Sequence, residues 1–146
     1  VTLYILDTDH ISLQQRFHPA VLQRLHALRD DDSVAVTVII IEEQIRGRLE
    51  IVRRHGASPL QVAAYAAFQQ TLRYFATWQV LDVTQAAFEQ FSALRQQRIR
   101  IGAQDLRIAA IALVQGATVV TRNTRDFAQV PGLVSEDWSA MEAARG

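Results

Sequence analysis

Four acidic residues, Asp7, Glu43, Asp105 and Asp126, stand where a strand is expected to end or a helix to begin, places from which distant segments can bring side chains together. Carboxylates gathered in this way repel one another, and some take up protons unless a cation balances them. An oxygen-only ligand set suits hard divalent ions such as Mg²⁺ or Mn²⁺, which keep several of their waters. Such ions lower the pKa of an attacking water, neutralise a phosphate and stabilise the leaving oxygen. The chemistry expected of this set is metal-assisted phosphodiester hydrolysis. It requires that the acids converge, which spacing alone does not establish.

The four positions differ in what they say. Asp7 follows an apolar run, and by itself it reads as a solvated turn residue or a helix cap. Asp9, two residues on, reads as a cap for the next helix or as support for a site. Asp105 shares a helical face with Ile108, Ala109 and Ala112, the face that should point inward. A carboxylate aimed that way costs several kcal/mol unless it is paired or metal-bound. The helix dipole explains its place in a first turn but not its face. On a helical wheel Glu42 lies nearer the Ile45, Leu49 and Val52 side, whereas Glu43 goes with Arg46, Gly47 and Glu50. What favours Glu43 is Gly47, whose bare Cα permits close approach of a backbone or a substrate. Asp126 sits in the polar segment Thr121–Phe127, where Asn123 or Thr124 can cap a short helix and Asn123 can equally serve as an oxygen ligand. Spacing does not decide between Asn123 and Asp126 as the fourth position. Asp9, Asn123 and Thr121 are expected to support the site.

The elements that must position these residues follow from the apolar pattern. Thr2–Leu6, Val34–Val38, Trp78–Val83, Thr118–Thr121 and Leu133–Ser135 read as strands. Between them lie helical segments: one opening at Pro19, one carrying Ile45, Leu49 and Val52 and stopping near Gly56, and one from a capping box at Ser58-Pro59-Leu60-Gln61 to Ala76. A further helix capped by Thr84 runs to about Arg98, and Ala103–Gln115 is closed by Gly116. Strands alternating with helices predict an α/β domain with a mainly parallel sheet, a single domain over residues 1–146. In such sheets chemistry gathers beyond the carboxyl ends of the strands, where Asp7 and Arg122–Asp126 fall.

Composition removes whole classes of function. All fifteen basic residues are arginine, so a Walker phosphate loop and any catalytic lysine are excluded. Cysteine is absent, which excludes disulfides and thiolate chemistry. The formal net charge of zero argues against a histone-like binder. No apolar run reaches the roughly 18–20 residues that span a bilayer, and no basic-then-apolar secretory start is seen. No membrane association and a cytoplasmic location are therefore expected. His10, His18, His26 and His55 are dispersed and read as solvated or capping residues, with His10 the one worth testing. Tyr65, Phe68, Tyr74, Phe75 and Trp78 read as core or dimer contacts rather than a base-stacking platform.

Leu6-Asp7-Thr8-Asp9, Glu43–Gly47, Ile101–Ala110 and Thr121–Phe127 with Val130-Pro131-Gly132-Leu133 resemble, in that order, the motifs of VapC-type PIN-domain toxins. The resemblance spans nearly the whole chain. It implies a three-layer sandwich with about five parallel strands, an acidic Mg²⁺ or Mn²⁺ pocket and cleavage of RNA. It also implies inhibition by a cognate VapB-type antitoxin and homodimerisation. By position, Asp7, Glu43 and Asp105 match the principal family acids and Asp126 the fourth, with Asn123 where other members carry an acid. Gln104 stands where related sequences often have asparagine. Arg46, Arg107, Arg122 and Arg125 flank the acids and are candidates for gripping RNA phosphates; each is equally suited to a surface ion pair or an antitoxin carboxylate. Two rivals are a degenerate PIN fold that only binds RNA or protein, and a haloacid-dehalogenase-like phosphatase suggested by Asp7-Thr8-Asp9. The missing lysine counts against the latter.

Overall fold

The computed structural model describes residues 1–140; the end of the expected 1–146 domain, residues 141–146, lies outside the described residues. Five strands form one sheet: β1 (Leu3–Leu6), β2 (Ser33–Thr37), β3 (Gln79–Leu81), β4 (Thr118–Val120) and β5 (Val134–Glu136), in the order β3-β2-β1-β4-β5. Every pairing is parallel, with Ile5 opposite Ala35 and Val119, and Leu6 opposite Val120. Among the described residues seven helices fill the connections: α1 (Thr8–Gln15), α2 (Pro19–His26), α3 (Val38–Arg54), α4 (Gln61–Ala76), α5 (Gln85–Gln96), α6 (Ala103–Gln115) and the single turn α7 (Thr124–Phe127).

The three layers follow from burial along the central strands. Successive strand residues point to opposite faces, yet Ile5 and Leu6, Ala35 and Val36, and Val119 and Val120 are all fully buried. Both faces of the sheet are therefore covered. α6 supplies much of the cover, with Leu106 and the run Ile108–Ala112 buried. Its small alanines let it pack closely, and α5 lies against it through Ala87, Phe91 and Leu94.

Boundaries differ from the sequence reading where tertiary contacts decide them. Val38 opens α3 instead of closing β2, because Thr37 turns the chain and caps the helix, its Oγ1 accepting the Ile40 N–H at 3.2 Å. The expected capping box at Ser58 does not form. Ser58 Oγ accepts the Leu60 N–H at 3.1 Å within a turn, and α4 begins only at Gln61 with no side-chain cap. Thr84 and Gly116 behave as expected: Thr84 Oγ1 accepts the Ala87 N–H at 3.1 Å, and Gly116 ends α6 with φ of 64°, where glycine is unstrained.

The C-terminal stretch is latched onto the sheet by contacts that sequence reading missed. His10 is not solvated; it is fully buried. Its Nε2 accepts the Trp138 backbone N–H at 3.0 Å, so in the neutral ring Nδ1 carries the proton and donates to Asp9 Oδ1 at 2.7 Å. Trp138 packs edge-on against Tyr4 and under the Arg24 guanidinium, and its Nε1–H donates to Glu136. Replacing His10 with alanine leaves the Trp138 N–H without its acceptor and opens a cavity. We expect a loss of about 2–4 kcal/mol in denaturant unfolding. A near-neutral result would show that this latch is dispensable.

Candidate active site

The sheet order reverses between β1 and β4: β1 connects towards β2 and β4 towards β5, which makes their shared carboxyl end the crevice of the fold. Asp7 and Thr121 occupy that crevice as the first residues beyond the two strands. The Asp7 N–H donates to the Val120 carbonyl at 2.9 Å, extending the ladder by one bond. Asp7 also caps α1, and its carboxylate is held from two sides, by the Thr8 N–H at 2.8 Å and the Thr121 hydroxyl at 2.9 Å. Burial pushes the Asp7 carboxyl up from its ordinary value, against those two hydrogen bonds.

α3 follows β2 without a loop and brings Glu43 to the same end. The wheel expectation for this helix fails in a useful way. Its buried residues are Ile39, Ile40 and Val52, whereas Leu49 is 47% exposed. The inward stripe at the start of α3 therefore runs from Ile39 and Ile40 to Glu43, and Glu42 is the exposed member of the pair. The Thr8 hydroxyl reaches Glu43 Oε1 at 3.5 Å, a long contact. Burial and then the Asp7 charge raise the Glu43 carboxyl. A Cβ on Gly47 would meet nothing within 4 Å, so no other part of the described chain uses its open surface.

Asp105, in the first turn of α6, carries the largest upward shift among the described carboxylates. Burial first, and then the charges of Asp7, Glu43, Asp126 and Asp9, push it from 3.8 to about 6. Asp7, Glu43 and Asp126 thus all lie within electrostatic reach of Asp105, and Asp7 within reach of Glu43. None of Asp7, Glu43, Asp105 and Asp126 takes part in an ion pair among the described residues. Nor do any three acidic or histidine side chains there stand close enough to hold one metal ion directly. The donor set is nevertheless all oxygen and carries uncompensated negative charge, which fits a hard cation that retains part of its water shell.

Around this cluster the supporting residues have distinct tasks. Asp9 adds its charge to those acting on Asp7 and Asp105, but its own carboxylate is taken up by hydrogen bonds. Burial works upward on it, but the hydrogen bonds from His10 and from the Arg122 N–H at 3.0 Å outweigh that and hold its carboxyl below the ordinary range. Through that bond Asp9 fixes the start of the 121–126 loop. Thr121 Oγ1 also accepts the Asn123 N–H at 2.9 Å. Asn123 occupies the N-cap position of α7 without capping it, because its amide donates to Asp126 Oδ2 at 2.9 Å instead.

The flanking arginines divide. Arg46 is exposed and paired with Glu42 at 2.6 Å, a surface ion pair. Glu42 also accepts from Gln104, and Gln104 from Arg107, so a chain of side-chain bonds ties α3 to α6 beside Glu43 and Asp105. Arg107 lies 4.6 Å over the Phe91 ring. Arg122 donates from Nε to Ser139 at 3.1 Å, whereas Arg125 is exposed and has no ion-pair partner among the described residues. The Glu42–Gln104 link and the His10 latch were not legible in the sequence, since each joins residues far apart in the chain.

No helix among the described residues is long and apolar enough to cross a membrane. Comparison with known proteins gives matches along nearly all of the chain. A ribonuclease, VapC2, of Rickettsia felis is 25% identical over 142 residues, covering 93% of this chain and 98% of that protein. The tRNA(fMet)-specific endonuclease VapC of Shigella flexneri is 41% identical over 64 residues, 41% of this chain and 48% of that one. The fold superposes with a TM-score of 0.73 on a chain of the VapBC2 crystal structure from Rickettsia felis, bound to a DNA fragment from its promoter, covering 94% of this chain and 99% of that chain. The PIN domain pattern matches residues 4–133, and on that ground the chain belongs to the PIN-domain family.

Proposed function

We propose that this chain is a Mg²⁺- or Mn²⁺-dependent endoribonuclease and the toxin of a VapBC-type pair, acting in the cytoplasm as a single 1–146 domain that forms homodimers and is held inactive by a cognate VapB-type antitoxin. The observation that carries this reading is the pooling of four carboxylates beyond the β1–β4 crevice with no cationic side chain among the described residues paired to any of them. Structural ion-pair networks do not leave charge uncompensated in this way, whereas sites awaiting a cation do. The resemblance to proteins named as ribonucleases directs the reading to RNA.

Asp7, Glu43, Asp105 and Asp126 are the residues that would hold the cation, which supplies charge neutralisation at the phosphate and acidifies water for attack on phosphorus. The rest of the work falls to the chain. Thr8 and Thr121 fix the Asp7 carboxylate so that it is spared reorganisation when the phosphodiester arrives. Asn123 holds Asp126, and Asp9 holds the loop that presents both. Arg107, Arg122 and Arg125 would grip phosphates of the strand. Arg46 would have to leave Glu42 to do so. A phosphatase of the haloacid-dehalogenase kind is disfavoured because Asp9, its second acid, is committed to His10 and Arg122.

The purified protein should cleave single-stranded RNA with Mg²⁺ or Mn²⁺ and leave a phosphomonoester untouched, and EDTA should stop the reaction. Full cleavage in excess chelator would refute metal dependence. Binding of RNA without cleavage under every metal condition would favour the degenerate, binding-only fold.

A further inference from the structure

Away from the acids, the end of α5 carries charge that neither the fold nor the acidic site uses. Between Gln90 and Gln104 the chain holds Arg95, Arg98 and Arg100 and no acidic residue, in a protein whose formal net charge is zero. Arg95 stands in the last turn of α5, where a cation is favoured by the helix dipole. That accounts for a positive charge there but not for its neighbour. The Arg95 and Arg107 guanidinium groups lie 5.6 and 4.6 Å from the centroid of one ring, that of Phe91. Phe91 is 5% exposed, so the ring is not open to a stacking base; it serves as a platform for the two arginines.

Two guanidinium groups sharing one ring repel each other, and neither has a carboxylate partner among the described residues. Arg107 is oriented by its bond to Gln104 at 2.7 Å and lies on the same helix as Asp105, two residues further on. Arg95 opens instead onto a shallow, open surface hollow of about 340 Å³ that it lines with Ser92 and Gln96, both neutral hydrogen-bonding side chains. Neutral donors beside an unpaired guanidinium suit an anionic oxygen, and for a ribonuclease the anion at hand is the phosphate of the RNA backbone. We propose that Arg95, with Ser92 and Gln96, forms a phosphate subsite that binds the RNA backbone beyond the phosphodiester being cut, with Arg107 as the bridge between that subsite and the acids. This rests on the ribonuclease reading. It assigns α5 a share in substrate binding: RNA long enough to span from the acids to α5 gains affinity that a very short oligonucleotide does not.

The test measures binding of fluorescent single-stranded RNA by anisotropy in metal-free buffer across a salt series, together with steady-state cleavage, for wild type, Arg95→Gln and Arg95→Lys. Arg95→Gln should weaken binding of a long RNA roughly fivefold and flatten the salt dependence by about one counterion. KM should rise by a similar factor with kcat unchanged, a dinucleotide should show no effect, and Arg95→Lys should recover most of the loss. Thermal melting checks that the exposed position leaves the fold intact. Unchanged RNA binding and salt slope in Arg95→Gln, an equal loss on the dinucleotide, or weakened binding only to an acidic peptide would overturn the subsite. A wild type that cleaves RNA in Mg²⁺ while Arg95 proves silent separates its failure from that of the ribonuclease reading, which falls only if the wild type cleaves none.

Discussion

Asp105→Asn is expected to abolish RNA cleavage and at the same time to raise the melting temperature of the metal-free protein at neutral pH. The two effects have one source. In the fold, burial and the Asp7, Glu43 and Asp126 charges hold the Asp105 carboxyl at about 6, above its ordinary 3.8. Below the ordinary value the group is protonated whether the chain is folded or not, and it costs nothing. As pH rises from there the unfolded chain releases its proton first, so stability falls up to about pH 6 and stays reduced above it. A shift of this size corresponds to about 3 kcal/mol before solvent screening; for a side chain only partly buried we expect about 1 kcal/mol, or ~2–4 °C. Asparagine keeps the shape and removes the charge. Activity should fall by more than about 100-fold, since losing an outer partner of a metal ligand already costs about 10–100-fold. Turnover measured beside a melt distinguishes the outcomes. A variant that stays active, or one that unfolds, would make Asp105 a structural residue.

Asp126→Ala should lower activity at least about tenfold and raise the metal concentration needed for half-maximal rate, because a carboxylate binds a hard dication better than a neutral amide does. The Asn123 amide bonded to Asp126 turns the choice between these residues into a question of coupling. Asn123→Ala should be milder and act through Asp126, so the double variant should be no worse than Asp126→Ala alone. Additive losses would show that Asn123 touches substrate or water by itself. Asp126→Ala close to wild type would leave a site of three carboxylates.

The sheet was legible in the sequence because its strands are short apolar runs bounded by polar residues, and parallel strands buried on both faces need no alternation to be seen. Asp105 was legible because a carboxylate on the apolar face of Ile108 and Ala112 conflicts with simple burial. Glu43 was harder. Its helix turns its Ile39–Ile40 stripe inward at one end and leaves Leu49 exposed further along, so a wheel anchored on Ile45, Leu49 and Val52 pointed at the wrong glutamate. His10 was misread because a lone histidine beside acids looks solvated until a partner 128 residues away, the Trp138 N–H, is in place. The same limit hid the Glu42–Gln104 link: local pattern carries helix and strand, while side-chain bonds between distant elements depend on the finished topology.

If the acids beyond β1 and β4 bind the cation that RNA hydrolysis needs, protons and metal compete for the same oxygens. The direct measurement is RNA cleavage as a function of Mg²⁺ concentration at about pH 5.5 and about pH 7.5, read as the concentration giving half-maximal rate. It should fall several-fold at the higher pH, where Asp105 is ionised, with no cleavage in EDTA at either. A half-maximal concentration that does not move with pH, or cleavage that persists in EDTA, would contradict a carboxylate-held metal as the centre of this protein's chemistry.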